Sequence, residues 1–310
     1  MKGADLQAQV VQQLIELIEL GEGLYVMPWH HDGNGTMPIN VITRNPYRGG
    51  NTLILMMAGA ARGFASNEWG TYKQWESIDA QVRKGTHGQH AIFWKQIEDK
   101  ADPTKKHMFA NAFTLFNAEQ VDGYERVVPT PLNVFELDNW FTRIPFKRAL
   151  GLPAYSSTTD TVYMPHGFSF ISHSAYQAVM AHELTHWTGH ESRLNRAQHN
   201  VFASNDYAME ELVAELGASF ICAHLGLATE YRSDHAMYLK SWLAGLKAEP
   251  KLLWTVASKA QAALDHLLTY QPSEDECPDS QETSPSPTGE MTTVSSSDDT
   301  ALVTTGFCTT

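Results

Sequence analysis

Cysteine is scarce in this sequence, and its placement argues against a disulfide framework. The three cysteines among 310 residues are Cys222, Cys277 and Cys308; no two of them form a CxxC pair, and an odd number cannot all pair with one another. Disulfides persist in oxidising compartments, so this usage suits a reducing one. We therefore expect a cytoplasmic protein.

Long apolar runs are also absent. No segment approaches the roughly 18 apolar residues that a membrane-spanning helix needs. The segment 1–25 carries a single lysine, Lys2, and places Glu and Gln between its apolar residues, whereas a signal peptide has an uninterrupted apolar core. The sequence thus predicts neither secretion nor a membrane partner.

The negative charge is concentrated at one end of the chain. Residues 272–310 hold eight acidic residues and no Lys or Arg, so of the net charge of -13 only -5 belongs to the rest. Between Arg44 and Lys106 the balance reverses, with ten basic against six acidic residues. The overall sign therefore does not exclude a nucleic-acid partner for part of the chain.

The two ends of the chain differ in composition. The segment 6–20 repeats apolar residues at helical spacing before Gly21, which predicts an amphipathic helix; these residues are Leu6, Val10, Leu14, Leu17 and Leu20. The segment 272–310 is rich in Ser, Thr, Pro and acids and cannot bury enough apolar surface to offset the entropy of ordering. We expect this tail to be disordered.

The pattern between the two ends changes near residue 125. Before it, short apolar stretches alternate with turn signals, and the segments 90–96 and 107–117 are predicted as strands of a hairpin. After the Pro-containing segment 125–133, the sequence predicts a short helix near 134–141, a strand at 161–165 and four helices, at 174–188, 206–225, 235–246 and 251–270. The prediction is an α+β fold with domains over 1–125 and 126–271 and a tail over 272–310.

The segment MAHELTHWTGH contains an HExxH motif. His182 and His186 lie four residues apart, so on a helix both imidazoles project from one face and can hold one ion. Glu183 is placed to reach a water on that ion, and zinc lowers the pKa of such a water to roughly 7. We therefore predict zinc ligands at both histidines and a catalytic base at Glu183.

A third ligand is predicted on the next helix. In NDYAMEELVAELGASFIC, Glu211 and Glu215 fall on one helical face. A site with two histidines and one glutamate uses the first acid as ligand and can use the second to hold a histidine N–H. We assign Glu211 as the ligand and Glu215 as the acid that holds a histidine N–H. Glu210 is the weaker alternative ligand.

Two further features of this region are open to interpretation. His190 continues the spacing of His182 and His186, but its register differs from that of a metzincin third ligand, so we weigh it as a minor alternative. The strand at 161–165 precedes the motif helix, and we expect it to be an edge strand on which a peptide can pair. Tyr163 is either a substrate contact or a buried strand tyrosine, and we favour the second interpretation.

Both halves of the sequence resemble one family. AHELTHWTGHESRLNR and YAMEELVAELGASFICAHLGL are similar to the zincin-like metallopeptidase half of ArdC-type antirestriction proteins, which is also found in TraC-type primases and phage polyvalent proteins. NVITRNPYRGGNTLILMMA and KQWESIDAQVRKGTHGQHAIFWK resemble the family's N-terminal domain, which binds single-stranded DNA. The resemblance spans about 6–270. It implies a protein of a plasmid or phage that binds single-stranded DNA and protects incoming DNA from host restriction.

The resemblance makes residues 1–125 a single-stranded-DNA-binding domain and residues 126–271 a zincin-like metallopeptidase domain. It supports His182 and His186 as ligands, Glu183 as base and an acid of the EELVAE run as third ligand. The sequence departs from the family pattern at Glu68, where we expect a neutral or basic residue. The negative charge of this glutamate should weaken DNA contact there.

The first half also contains the residue types that single strands need. Cations contact the phosphates and aromatic rings stack on the bases. Arg48, Tyr72, Arg83 and Lys84 lie in turn-rich segments and are the DNA-binding candidates.

Three functions follow. The chain is an antirestriction protein that coats single strands, or it is a zinc peptidase that cleaves a regulatory or DNA-bound protein. The third function is that of a regulatory zincin that cleaves a repressor and does not bind DNA. We expect protection to survive replacement of Glu183.

Overall fold

The structure is a computed structural model that describes residues 8, 11–12, 15–16, 37–98, 106–126, 144, 146–196, 205–227, 236–249 and 251–270. Residues 1–271 form one compact unit, and residues 272–310, the predicted tail, form a second unit that lies outside the described residues. The described residues contain both helices and strands, which confirms the α+β prediction. Among them, no helix is both long enough and apolar enough to cross a membrane.

The first part of the chain is built on a four-stranded sheet in the order β1-β2-β5-β4. The predicted hairpin is confirmed, because β4 and β5 pair antiparallel from Gln89↔Leu115 to Glu98↔Lys106. The elements are β1 (Ile39–Asn40), α1 (Gly50–Arg62), β2 (Glu68–Thr71), α2 (Tyr72–Glu76), β3 (Gln81–Val82), β4 (Gln89–Glu98), β5 (Lys106–Asn117) and β6 (Val121–Asp122). Strands β3 and β6 pair with each other as a separate two-stranded sheet.

The second part combines a three-stranded sheet with four helices. The elements are β7 (Phe146–Arg148), β8 (Ala154–Ser156), β9 (Thr161–Met164), α3 (His173–Thr188), α4 (Asn205–His224), α5 (Ala236–Ala248) and α6 (Leu252–Leu268). The predicted strand and four helices are therefore confirmed, with their ends shifted by about two residues or fewer, as is common for helix termini. The short helix predicted near 134–141 lies outside the described residues.

The expectation that β9 is an edge strand is wrong. The sheet order is β7-β9-β8, so β9 pairs on both sides, parallel to β7 and antiparallel to β8. Its N–H and C=O groups are therefore engaged within the protein. The edge strand next to the HExxH helix is instead the short strand β8.

Buried residues from both parts of the chain form one hydrophobic core. Leu53 and Met57 of α1 belong to the same cluster as Leu184 of α3, Leu216 of α4 and Leu264 of α6. All five side chains have at most 5% of their surface exposed. The helix of the first sheet and the helices of the second part thus share their apolar contacts.

The beginning of α1 is fixed against α6. The ring of Trp254 covers Gly50, where an added Cβ atom would lie 2.0 Å from the ring. The backbone N–H of Gly49 donates to Gln261 Oε1 at 2.9 Å, and Arg48 forms an ion pair with Asp265. Gly50 is therefore required by the close approach of these two helices.

The predicted N-terminal helix is described at five positions, Ala8, Val11, Gln12, Ile15 and Glu16, and all five are helical. Val11 and Ile15 are buried in the shared core. The residues on which the helix was predicted lie outside the described residues.

Candidate metal centre

The HExxH motif lies in the last half of α3. This helix begins after Ser172, whose hydroxyl accepts the N–H of Ala175 at 2.9 Å, and it ends at Gly189. His182 and His186 project from one face, with their Nε2 atoms 3.2 Å apart. Their side chains are 4% and 14% exposed, so the two imidazoles converge in a nearly buried site.

Glu211 reaches the same point from α4. Its Oε2 lies 3.5 Å from His182 Nε2, and its Oε1 lies 3.7 Å from His186 Nε2. The two helices approach closely because Gly217 of α4 faces Thr185 of α3, where a Cβ atom on the glycine would lie 2.4 Å from the threonine Cγ2. A glycine in α4 thus brings the acidic residue to the two histidines.

The donor set fits a tetrahedral metal ion. Ligands about 2.0 to 2.1 Å from a zinc ion stand roughly 3.3 to 3.5 Å from one another in a tetrahedron. The Nε2 atoms of the two histidines are 3.2 Å apart, close to such an edge, and each faces one oxygen of Glu211, with Oε2 3.5 Å from His182 and Oε1 3.7 Å from His186. Among the described residues, these three form the cluster of possible ligands, with donor atoms within 4.8 Å of one another.

Two more carboxylates face the outer ring nitrogens of the histidines. Glu215 Oε2 lies 3.7 Å from His182 Nδ1, and Glu210 Oε1 lies 3.5 Å from His186 Nδ1. Glu215, for which the sequence predicts a role in holding a histidine N–H, thus faces His182. Glu210, the weaker alternative ligand of the sequence analysis, lies on the side of His186 opposite to Glu211. Sequence spacing does not predict the position of Glu210 relative to His186, because that position depends on the angle between the two helices.

The carboxylates give the centre a strongly negative field. Burial opposes ionisation of Glu211, but hydrogen bonds from both histidines hold the pKa of its carboxyl well below the usual range. Burial likewise opposes protonation of His186, whereas hydrogen bonds to Glu210 and Glu211 raise the pKa of its imidazole to about 10. A field that favours a proton here also favours a divalent cation between the two rings.

Glu183 is only 5% exposed and faces the edge strand β8. Its Oε2 accepts the backbone N–H of Tyr155 at 2.8 Å. Because this N–H donates to Glu183 and not to β9, it is on the side of β8 that faces away from the sheet. The candidate base therefore lies next to the two histidines and against the unpaired edge of β8.

An ion-paired network holds β8 near the end of α3. Tyr155 Oη donates to Asp160 Oδ1 at 3.0 Å, and Arg193 Nη1 donates to Asp160 Oδ2 at 2.9 Å. The guanidinium of Arg193 also lies 3.9 Å from the ring centre of Trp187. His190 belongs to this network, with its Nδ1 3.9 Å from Asp160 and 2.7 Å from Ser192 Oγ. The cluster of possible ligands contains Glu211, and His190 is not among its members.

The four DNA-binding candidates fall into two places. Tyr72 is 46% exposed and its hydroxyl accepts from Gln81, close in sequence to Arg83 and Lys84. Arg83 pairs with Asp122 at 3.2 Å, and Lys84 is exposed. Arg48, by contrast, pairs with Asp265 of α6. The structure therefore connects Tyr72 to Gln81, two residues before Arg83, and places Arg48 where α1 meets α6.

Glu68 is fully buried, so the expectation that it weakens a surface contact with DNA is wrong. Its Oε1 accepts from Tyr124 Oη at 2.9 Å and forms an ion pair with Arg44. Arg44 has a φ of 58°, a left-handed conformation that is uncommon for arginine. The glutamate thus anchors the turn that contains Arg44.

The fold and the site define a protein with a zincin-like metallopeptidase domain and an additional N-terminal domain. The family model described as zincin-like metallopeptidase matches residues 142–259, and the model described as the N-terminal domain of anti-restriction factor ArdC matches residues 4–130. The metal-free crystal structure of antirestriction protein ArdC from plasmid R388 is 34% identical, with a TM-score of 0.75 over 86% of this chain and 98% of that one. The chain belongs to the ArdC family of antirestriction proteins.

Other relatives extend the comparison. The Mn(II)-bound structure of R388 ArdC is 33% identical, with a TM-score of 0.73, and covers 86% of this chain and 97% of that one. Protein y4eC of Sinorhizobium fredii, described as uncharacterized, is 39% identical over 86% of this chain and 92% of its own length. DNA primase TraC of Escherichia coli is 32% identical over 84% of this chain, which corresponds to 20% of the primase.

Proposed function

We propose that this antirestriction protein binds single-stranded DNA in the cytoplasm and thereby protects incoming plasmid or phage DNA from host restriction. One observation carries the proposal. A single compact unit contains both an ArdC-type N-terminal domain and a complete cluster of two histidines and one glutamate. Exposed Tyr72, Arg83 and Lys84 supply an aromatic face and positive charge in the first part. Such residues bind a strand through its bases and phosphates without choosing a sequence.

The metal that best suits this cluster is zinc, because two imidazoles and one carboxylate are a common catalytic zinc set. His182, His186 and Glu211 would hold it, with Glu215 and Glu210 behind the two rings. When bound, zinc supplies an acidified water. Glu183 is the group that would accept the proton of that water, because it is next to His182 in α3.

The test is a binding measurement on the full chain. A labelled single-stranded oligonucleotide and its duplex are titrated at two salt concentrations, and the zinc content of the same sample is determined. We expect preference for the single strand, weaker binding at high salt because counterions are released by phosphate contacts, and about one zinc per chain. Equal affinity for duplex and single strand, or none for either, would contradict the proposal.

Replacement of Arg83 and Lys84 by Gln refines the same test. Removing two phosphate contacts lowers the slope of log affinity against log salt by roughly 0.7 for each contact with a single strand. Arg126 pairs with Glu119 at 3.3 Å and is similarly exposed at 48%, so Arg126→Gln is the matched control. Loss of the same size in the control would show a general charge effect instead of a site.

A second candidate function is that of a peptidase acting on a regulatory or DNA-bound protein. It is favoured by the position of Glu183 against the free edge of β8, where an extended peptide could lie. The two functions are separated by Glu183→Gln in an assay of DNA survival in a restricting host. We expect protection to survive this change; loss of protection with DNA binding intact would favour the peptidase.

A further inference from the structure

We infer that Arg196 and Glu210 act as a positioning pair that fixes the ring of His186 for metal binding. The inference rests on the metal-binding part of the proposed function. Glu210 Oε1 lies 3.5 Å from His186 Nδ1, the ring nitrogen that faces away from Glu211. A carboxylate at this nitrogen holds the proton there and leaves the lone pair of Nε2 for the ion.

Glu210 is held in place by Arg196. The Nε of Arg196 lies 3.2 Å from both carboxylate oxygens of Glu210, and its Nη2 lies 2.9 Å from Oε1. The side chains are 5% and 10% exposed. A buried carboxylate of this kind needs a fixed counter-charge, because an unpaired one would avoid the interior or become neutral.

Arg196 is in turn fixed to the end of the helix that carries His186. Its Nη1 donates to Thr188 Oγ1 at 2.9 Å, its Nη2 donates to the carbonyl of Thr185 at 2.6 Å, and its backbone N–H donates to the carbonyl of Gly189 at 2.8 Å. One guanidinium thus connects the last turn of α3 with Glu210 of α4. The arrangement sets the distance between the two helices at the position of His186.

Each histidine has a carboxylate of α4 behind it. His182 Nδ1 faces Glu215, and the carboxylate of Glu210 behind His186 is oriented by Arg196, a residue from the segment after α3. Lysine cannot reproduce the planar fork that contacts Glu210, Thr188 and Thr185 together. His186 is consequently the ligand whose orientation depends on Arg196.

The first part of the test is the affinity of the full chain for zinc and for Mn(II), measured by isothermal titration calorimetry. Glu210→Gln and Arg196→Lys are expected to weaken binding by about 10- to 100-fold, as is typical when a histidine ligand loses its outer partner. Arg193→Lys is the matched control, because Arg193 is on the same segment, is 10% exposed and pairs with Asp160. Its metal affinity is expected to stay unchanged.

The second part uses the ¹H and ¹⁵N signals of the His186 ring in chelator-treated protein. Whether or not Nε2 also carries a proton, the original chain is expected to show an Nδ1–H that exchanges slowly with water because Glu210 accepts it, and Glu210→Gln and Arg196→Lys are expected to speed that exchange, with an unchanged circular dichroism spectrum. Unchanged affinity and unchanged Nδ1–H exchange in a folded variant would overturn the inference, as would an equal loss in the Arg193→Lys control. If the original chain binds neither metal, the metal part of the proposed function fails, and the Nδ1–H exchange still decides the positioning role.

Discussion

At the scale of single residues, Glu183 is fixed by the backbone of a neighbouring strand. The N–H of Tyr155 reaches its carboxylate at 2.8 Å, so an isosteric amide at this position keeps an acceptor for that N–H and removes only the base. For Glu183→Gln we expect any peptide hydrolysis to fall by about 10²- to 10⁴-fold, the usual contribution of a general base. Turnover of a peptide library and metal content are measured side by side.

Metal binding is the control for this prediction. Glu183 is not one of the three clustered donors, so zinc content should equal that of the original chain. Glu211→Gln, which removes the charge of the third donor, should lose zinc instead. Hydrolysis that persists in Glu183→Gln would show that another group acts as base.

Asp160 makes folding sensitive to acid. A hydrogen bond from Arg193 is the main cause that lowers the pKa of Asp160 below the ordinary value of 3.8. Because the folded pKa lies below the unfolded one, the stabilisation is present above the ordinary pKa and is lost as pH falls through the folded value. Thermal unfolding followed between pH 5 and pH 2 should therefore depend less on pH in Asp160→Asn. An equal slope in both proteins would contradict this role.

At the scale of helices, the packing of α3 on α4 depends on Gly217. An alanine Cβ at this position would lie 2.4 Å from the buried side chain of Thr185, so Gly217→Ala should destabilise the protein by roughly 1 to 3 kcal/mol, the usual cost of overpacking. The two helices must move apart, and zinc affinity should fall with the melting temperature. Gly59→Ala in α1, where the nearest atom is a Trp69 ring carbon at 4.0 Å, is the control and should leave both unchanged or raise stability.

The strands show where sequence reasoning succeeds and fails. The long hairpin β4–β5 and the strand β9 carry enough apolar and β-branched residues to be predicted. Strand β8 has three residues, Ala154–Ser156, with no alternating pattern, so the edge beside the metal centre was assigned to β9 instead. Which strand is at an edge depends on pairing partners far apart in the chain, and no local pattern records them.

The residues of the metal centre could likewise be predicted from the sequence only in part. Four-residue spacing within a helix predicted that His182 and His186 lie together, and the same spacing paired Glu211 with Glu215. The role of Glu210 was missed, because it depends on Arg196, fourteen residues earlier in the chain. The burial of Glu68 was missed as well, since its partners Arg44 and Tyr124 come from separate segments.

At the scale of the whole molecule, residues 1–125 are not expected to fold alone. Leu53 and Met57 of α1 are buried against residues of α3, α4 and α6, and a fragment ending at residue 125 would expose this surface to water. We expect such a fragment to aggregate or to lack a cooperative transition in calorimetry. A fragment of residues 1–271 should unfold in one transition with the midpoint of the full chain. A separate sharp transition in the short fragment would contradict the shared core.

The same shared core bears on how these proteins are exchanged between genomes. TraC primase aligns over 84% of this chain, within one fifth of its own length, so both halves occur together inside a much larger polypeptide. A crossover between the halves would join two apolar surfaces that have not been matched by selection. Recombination should therefore transfer the two halves together, and hybrids that combine halves from distant lineages should be rare.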